Sequence, residues 1–212
     1  MILIGQYDSP FVRRVGVAMT LYEIGFEHRP WSVWADAEAL AKINPLRRVP
    51  TVVLDDGEVL IESGAILDAL DEMVGPERAM WPARGPARRA ALKVAALATG
   101  LADKAVILFY EGYLHEEPSP VWIDRCRAQI GDVMTALEAS RAAAMSTWWL
   151  GETLGHADIA VACALGFIRG AHPGLFDAGR WPRLAAHADA CEALPVFQQI
   201  RQPFSVTMAE EA

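Results

Sequence analysis

Along the first 75 residues, short apolar runs of strand length alternate with stretches of helical period. Residues 2–6 predict a strand, 10–24 a helix, and 28–33 a second strand with Trp31 and Val33 on one face. A short helix near 36–43 follows. Thr51-Val52-Val53-Leu54 and Val59-Leu60-Ile61-Glu62 then flank Asp55-Asp56-Gly57, whose Asp-Gly pair signals a hairpin, and a helix is expected over 63–73. Gly75-Pro76 and Trp81-Pro82-Ala83-Arg84-Gly85-Pro86 break any helix. Beyond them no strand pattern of similar strength appears. Ala, Leu, Glu and Arg predominate instead, and helices are predicted at about 87–115, 120–144, 156–170 and 182–194, with a short one over 195–201. The longest apolar run, residues 159–168, is well short of the roughly 20 residues that span a bilayer, so it predicts a helix buried on every side and no membrane partner.

The order βαβ, α, ββα within 75 residues matches the α/β thioredoxin fold, a mixed four-strand sheet covered by helices on both faces. An all-α half follows. The expected organisation is therefore a thioredoxin-like domain at 1–75, a linker at 76–86 and a helical domain at 87–204.

Composition narrows the partners. At 53% hydrophobic and 22% charged the chain has ample material for packed cores. Lys and Arg total 19 against 27 for Asp and Glu, a formal charge of −8, so no basic field exists to hold phosphate backbones and nucleic acid is not expected. The arginine pairs 13/14, 47/48 and 88/89 are scattered and read as solvated faces or salt bridges. Cys126, Cys163 and Cys191 form no CxxC pair, and the amino terminus carries no basic start or long apolar core of an export signal, which together predict a reducing cytoplasm. His187 and Cys191 share a helix face at i, i+4 but lack a third ligand, so no metal is expected.

Four motifs carry the chemistry. In Tyr7-Asp8-Ser9-Pro10-Phe11-Val12-Arg13, Ser9 is placed as the N-cap of a helix with Pro10 at its first position. Backbone N–H groups and a hydroxyl at such a start would also stabilise an anion. Asn44-Pro45-Leu46-Arg47-Arg48-Val49-Pro50-Thr51 is a turn entering a strand. Ile61-Glu62-Ser63-Gly64 is a second strand-to-helix corner, and Gly151-Glu152-Thr153-Leu154-Gly155-His156-Ala157-Asp158 opens the buried helix, with Asp158 three residues after a cap.

With these motifs in place, the chain resembles the cytosolic glutathione S-transferases over nearly its full length, and Ser-Pro-Phe-Val-Arg at 9 to 13 looks most like their bacterial members. The resemblance implies a glutathione site in the first domain, with glutathione as co-substrate, and an electrophile pocket between the domains. It implies that Ser9 contacts the glutathione sulfur, that the Val49 backbone pairs with the cysteinyl part, and that Pro50 is held cis. Glu62 and Ser63 would receive the γ-glutamyl end, and Arg48 would meet the glycyl carboxylate. Tyr7 is an alternative sulfur contact, as in some classes of the family, or a packing residue. Phe11, Asp103, Ile107 and Tyr110 are the expected pocket residues, and the family resemblance implies a homodimer.

Three departures from the family pattern bear on function. Ser9 stands where thiol-transferring members carry Cys, which favours conjugation or isomerisation. Arg47 replaces a common Gly, so Arg47 and Arg48 could exchange roles. Gly155 replaces a Ser or Thr cap, leaving the Asp158 half of a capping box. Two activities fit: a glutathione transferase acting on a small hydrophobic electrophile, or a binding protein of the same fold with little turnover.

Overall fold

The structure is a computed structural model, and it describes residues 1–208. The chain forms two compact units, one of residues up to Ala83 together with the segment from Pro195 on, the other Arg84–Leu194.

In the first unit, β1 (Ile2–Ile4), α1 (Pro10–Leu21), β2 (Glu27–Arg29), α2 (Ala37–Ala41), β3 (Thr51–Val53), β4 (Val59–Ile61) and α3 (Ser63–Val74) follow one another. The sheet order is β2-β1-β3-β4, with β1 and β2 parallel and the other neighbours antiparallel. This is the expected thioredoxin-like arrangement. Leu3 and Val52 of the sheet meet Val12, Val15 and Met19 of α1 and Ile66, Leu67 and Leu70 of α3 in one core. The predicted second strand is shorter than its pattern. It ends at Arg29 because Pro30 has no N–H to give the ladder, and the N–H of Trp31 turns back to the Arg29 carbonyl at 2.8 Å.

The boundaries of the units differ from those expected at both ends. After α3, Asp71 holds the chain to the first unit: its carboxylate bonds the Tyr22 hydroxyl and accepts the Trp81 N–H at 2.8 Å, while the Met80 N–H donates to Tyr22 Oη at 3.0 Å. Burial and the Asp71 carboxylate push the Tyr22 phenol far above its ordinary range. At the other end, α8 (Pro195–Gln199) also belongs to the first unit. Arg13 explains this. Its guanidinium donates to the Ile200 and Phe197 carbonyls at 2.8 and 2.9 Å and lies over the Phe197 ring. The solvated-face alternative for the 13/14 pair is therefore corrected: both arginines are buried, because the carbonyls of Phe197 and Ile200 in and just after α8 and the Ser63 hydroxyl on α3 take the place of water.

The second unit is all-α: α4 (Gly85–Leu114), α5 (Pro120–Ala143), α6 (His156–Ala171) and α7 (Pro182–Glu192). Ala91, Ala95, Ala98, Ala102 and Ala105 recur every three or four residues along α4 and form its buried stripe. Nearly every residue of α6 is buried, as its unbroken apolar run predicted. Its start is tied by Asp158, which accepts the Gly155 N–H at 2.9 Å and the Trp149 N–H at 2.8 Å. No described helix is long and apolar enough to cross a membrane.

Candidate functional site

Strand register brings three of the four motifs together. Ile4 lies opposite Thr51, and Thr51 opposite Ile61, both in antiparallel pairs. The last residue of β1, the first of β3 and the last of β4 thus stand in one row. The segments just beyond that row are the Ser9 corner, the 44–50 loop and the Glu62–Ser63 corner, so all three converge on one end of the sheet.

At the first corner Ser9 is the N-cap of α1, with extended backbone, Pro10 at the first helical position and its Oγ accepting the Val12 N–H at 3.4 Å. A hydroxyl that accepts on a lone pair still has its proton to donate. Gly5, φ +126°, lets β1 pass close to the neighbouring loop: a Cβ there would lie 2.5 Å from Val12 Cγ2 and 2.7 Å from Val49 Cβ. Tyr7 lies with its ring stacked on His28, centroids 3.8 Å apart, and packs against Gly16 of α1. Burial pushes the Tyr7 phenol up from its ordinary value. The His28 ring nitrogen lies 2.8 Å from the Gly5 carbonyl.

The loop at 44–50 is built around Asn44, which is buried. Its amide donates to the Arg48 carbonyl at 2.9 Å and to Thr51 Oγ1 at 3.0 Å, and its oxygen accepts the Leu46 N–H at 3.0 Å. The Val49–Pro50 peptide is cis, as the resemblance implied. Arg47 adopts φ +50° with its side chain in solvent, and Arg48, half-exposed, lies 3.4 Å from Glu62.

At the third corner Glu62, φ +64°, precedes α3 and leaves its side chain out of the cap. The first N–H groups of α3 therefore point outward unmet by a capping side chain, next to exposed Gly64 and Ala65. Ser63 is buried and its hydroxyl accepts from the Arg14 guanidinium at 3.4 Å. Two helix starts and the side chains of Arg47 and Arg48, the latter beside Glu62, thus lie at one end of the sheet, an arrangement chemically able to stabilise an anion.

The sequence analysis gave no site role to Gly5, to Asn44, which opens the 44–50 motif, or to Arg14 of the 13/14 pair, all of which shape this end of the sheet. A signal existed for Arg14: an arginine inside the apolar stretch Phe11 to Met19 of a helix buried on nearly all sides has to find internal partners. Phe11 is half-buried in the first unit. In the second unit Asp103, Ile107 and Tyr110 lie half-buried along one side of α4, offset from its alanine stripe. His187 and Cys191 are buried 3.7 Å apart beside Asp158, and no group of three or more metal-ligating side chains occurs among the described residues.

A four-strand thioredoxin-like sheet in one unit and an all-α second unit define a class of architecture, which by itself fixes no activity. Two family profiles match the chain: Glutathione S-transferase, N-terminal domain, over residues 3–78, and Glutathione S-transferase, C-terminal domain, over residues 120–190. The chain belongs to the glutathione S-transferase family. A glutathione transferase family member from Pseudomonas fluorescens Pf-5, solved with bound glutathione, is 33% identical, with a TM-score of 0.82 over 96% of this chain and 99% of that one. A glutathione S-transferase from Methylobacterium radiotolerans, solved with glutathione sulfonate, has a TM-score of 0.91 at 26% identity over 100% and 98%. Maleylacetoacetate isomerase of Pseudomonas aeruginosa is 29% identical over 217 residues, 94% of each chain. The chain is a glutathione transferase, and these relatives favour that reading over a binding protein with little turnover.

Proposed function

We propose that this transferase uses Ser9 to hold the glutathione thiolate for attack on a small hydrophobic electrophile, by conjugation or isomerisation. The observation that carries this reading is the register that sets the Ser9 corner, the Val49–Pro50 loop and the Glu62–Ser63 corner at one end of the sheet. The Val49 backbone pairs with the cysteinyl part. The γ-glutamyl group sits at the start of α3, on Glu62 and Ser63, and Arg48 meets the glycyl carboxylate with Arg47 beside it. Phe11, Asp103, Ile107 and Tyr110 are assigned to the electrophile, and the similarity to an isomerase supports including isomerisation.

The chemistry asked of Ser9 is modest. An ordinary thiol, pKa ~8.5, is only about 3% thiolate at neutral pH, and lowering it by ~2 units corresponds to ~2.7 kcal/mol. One hydrogen bond to a charged acceptor contributes roughly 1.5 to 3 kcal/mol, and the start of α1 adds to it. Ser9 is then a donor and not a nucleophile. Tyr7 remains the alternative sulfur contact, though its stacking on His28 favours a packing role.

Ser9→Ala is expected to raise the apparent pKa of bound glutathione by about 1 to 2 units, reducing turnover at pH 7 roughly 3- to 25-fold as the thiolate fraction falls. Stability should fall by only about 1 kcal/mol, the loss of one cap. Ultraviolet titration of the bound thiol checks this. An unchanged titration would transfer the sulfur contact to Tyr7 or to backbone N–H groups.

The protein works as a homodimer in the cytoplasm. Its three cysteines form no disulfide and are buried, which suits a reducing compartment. Sedimentation equilibrium at micromolar concentration is expected to give a mass near 46 kDa, twice the 23.1 kDa of the chain, and a 23.1 kDa species would refute the dimer.

A further inference from the structure

The link between β1 and α1 is a tight turn. The Ser9 N–H donates to the Gln6 carbonyl at 3.1 Å, which makes Tyr7 and Asp8 the central residues of a turn that delivers Ser9 to its cap position. The turn belongs to neither strand nor helix, and the Ser9–Gln6 bond is the backbone tie that closes it.

A distant part of the chain grips it instead. The Tyr7 N–H donates to Gln202 Oε1 at 3.1 Å, and the Asp8 carboxylate accepts the Ser205 N–H at 3.1 Å. Gln6 Nε2 donates to Thr207 Oγ1 at 3.3 Å, and beside the turn Ser32 Oγ donates to the Thr207 carbonyl at 2.6 Å. Each of the three residues ahead of Ser9 is thus bonded to one strap, 202–207. The strap runs extended: Gln202, Phe204 and Val206 are half-buried while Arg201, Pro203, Ser205 and Thr207 are exposed, a period of two. Its near end is anchored by Arg13, through the Ile200 and Phe197 carbonyls.

We propose that this C-terminal strap positions the Ser9 hydroxyl for the glutathione sulfur, with Gln202 and Asp8 as the positioning residues. The inference rests on the assignment of Ser9 as the sulfur donor. Hydrogen-bond strength falls steeply with angle and distance, so a turn released at its two central residues would spread the Ser9 hydroxyl over poorer geometries. Chain-end packing alone would stabilise the fold but leave the thiol titration where it is.

The sign of the effect separates positioning from charge. Removing a carboxylate near a thiolate would by itself lower the thiol pKa. Loss of positioning raises it. In the full-length chain saturated with glutathione, Gln202→Ala and Asp8→Ala are each expected to raise the apparent thiol pKa by about 0.5 to 1 unit, roughly 1.5- to threefold less thiolate at pH 7. Asp8→Asn keeps an oxygen to accept the Ser205 N–H and is expected to recover much of that shift. Gln202→Ala, on a half-exposed strap residue, keeps the test open if an Asp8 variant fails to fold. Ser9→Ala is titrated in parallel. If it raises the pKa while Gln202→Ala and Asp8→Ala titrate like the parent, or Asp8→Ala titrates lower, the strap inference is overturned and the Ser9 assignment stands. If Ser9→Ala leaves the titration unmoved, the Ser9 assignment fails and the strap inference falls with it.

Discussion

Replacing Asp158 by alanine is expected to lower the unfolding midpoint of the protein by about 4 to 16 °C, a loss of about 2 to 4 kcal/mol. The carboxylate is buried at the start of α6, and its two oxygens serve different donors. Oδ2 accepts the Gly155 N–H at 2.9 Å and Oδ1 the Trp149 N–H at 2.8 Å. The first bond is the remaining half of a capping box and contributes about 1 kcal/mol. The second fixes the chain between α5 and α6 where Trp149, itself bonded through Nε1 to Ser140 at 3.1 Å, enters the core. Losing it leaves a buried N–H without an acceptor, which costs roughly 1 to 3 kcal/mol. Asp158→Asn, with one oxygen in place of two, should fall about midway in a thermal scan. An alanine variant that melts with the parent would show that water replaces both bonds.

The same variant has a second readout through His187, whose Nε2 lies 3.3 Å from the Asp158 carbonyl and 3.8 Å from its carboxylate. Burial pushes the His187 imidazole below its ordinary 6.5, partly opposed by Asp158. A group whose folded pKa is depressed is neutral in the native state while the unfolded chain takes up a proton. The stability it contributes is therefore complete above pH 6.5 and is lost as pH falls below that value. Without the Asp158 carboxylate the depression deepens, so the midpoint of the alanine variant should decline more steeply between about pH 6.5 and 5 than that of the parent.

Most of the architecture was legible because helix and strand periods are local. The Ser9-Pro10 cap, the Asp-Gly hairpin and the all-apolar α6 each announce themselves within ten residues. What was hidden is long-range. The destination of α8 depends on Arg13 donating to carbonyls nearly 190 positions away, and nothing near Arg13 shows that those acceptors exist. The extent of the first unit past Gly75 likewise depends on Asp71 meeting both Tyr22 and Trp81. At the site, motifs could be named one by one, but their convergence is a property of register. Opposing Ile4 to Thr51 and Thr51 to Ile61 is decided by the whole sheet and its core, and a slip of one residue would turn Leu3 and Val52 out of that core.

Gly5 shows how one silent position can govern that convergence, and Gly5→Ala is expected to destabilise the first unit by about 2 to 6 kcal/mol. Two costs combine. At φ +126° a residue with a Cβ is strained by about 1 to 3 kcal/mol, and the new methyl would lie 2.5 Å from Val12 Cγ2 and 2.7 Å from Val49 Cβ, an overlap worth about 1 to 3 kcal/mol more. Val49 Cβ is bonded directly to the backbone, so no rotamer change removes that overlap. Either the 44–50 loop or the first turn of α1 must shift. Asn44 ties the loop to Thr51 and the Arg48 carbonyl, whereas Val12 can relieve its contact by turning Cγ2, so the overlap with the loop is the one that persists. Since the Val49 backbone is assigned to the cysteinyl part of glutathione, the folded fraction of the variant should show a KM for glutathione raised about tenfold, with a smaller change in kcat because Ser9 keeps its cap. Initial-rate kinetics at saturating electrophile measure both quantities. A variant with lowered stability but an unchanged KM would mean that α1 had moved instead, and would remove Val49 from the glutathione site.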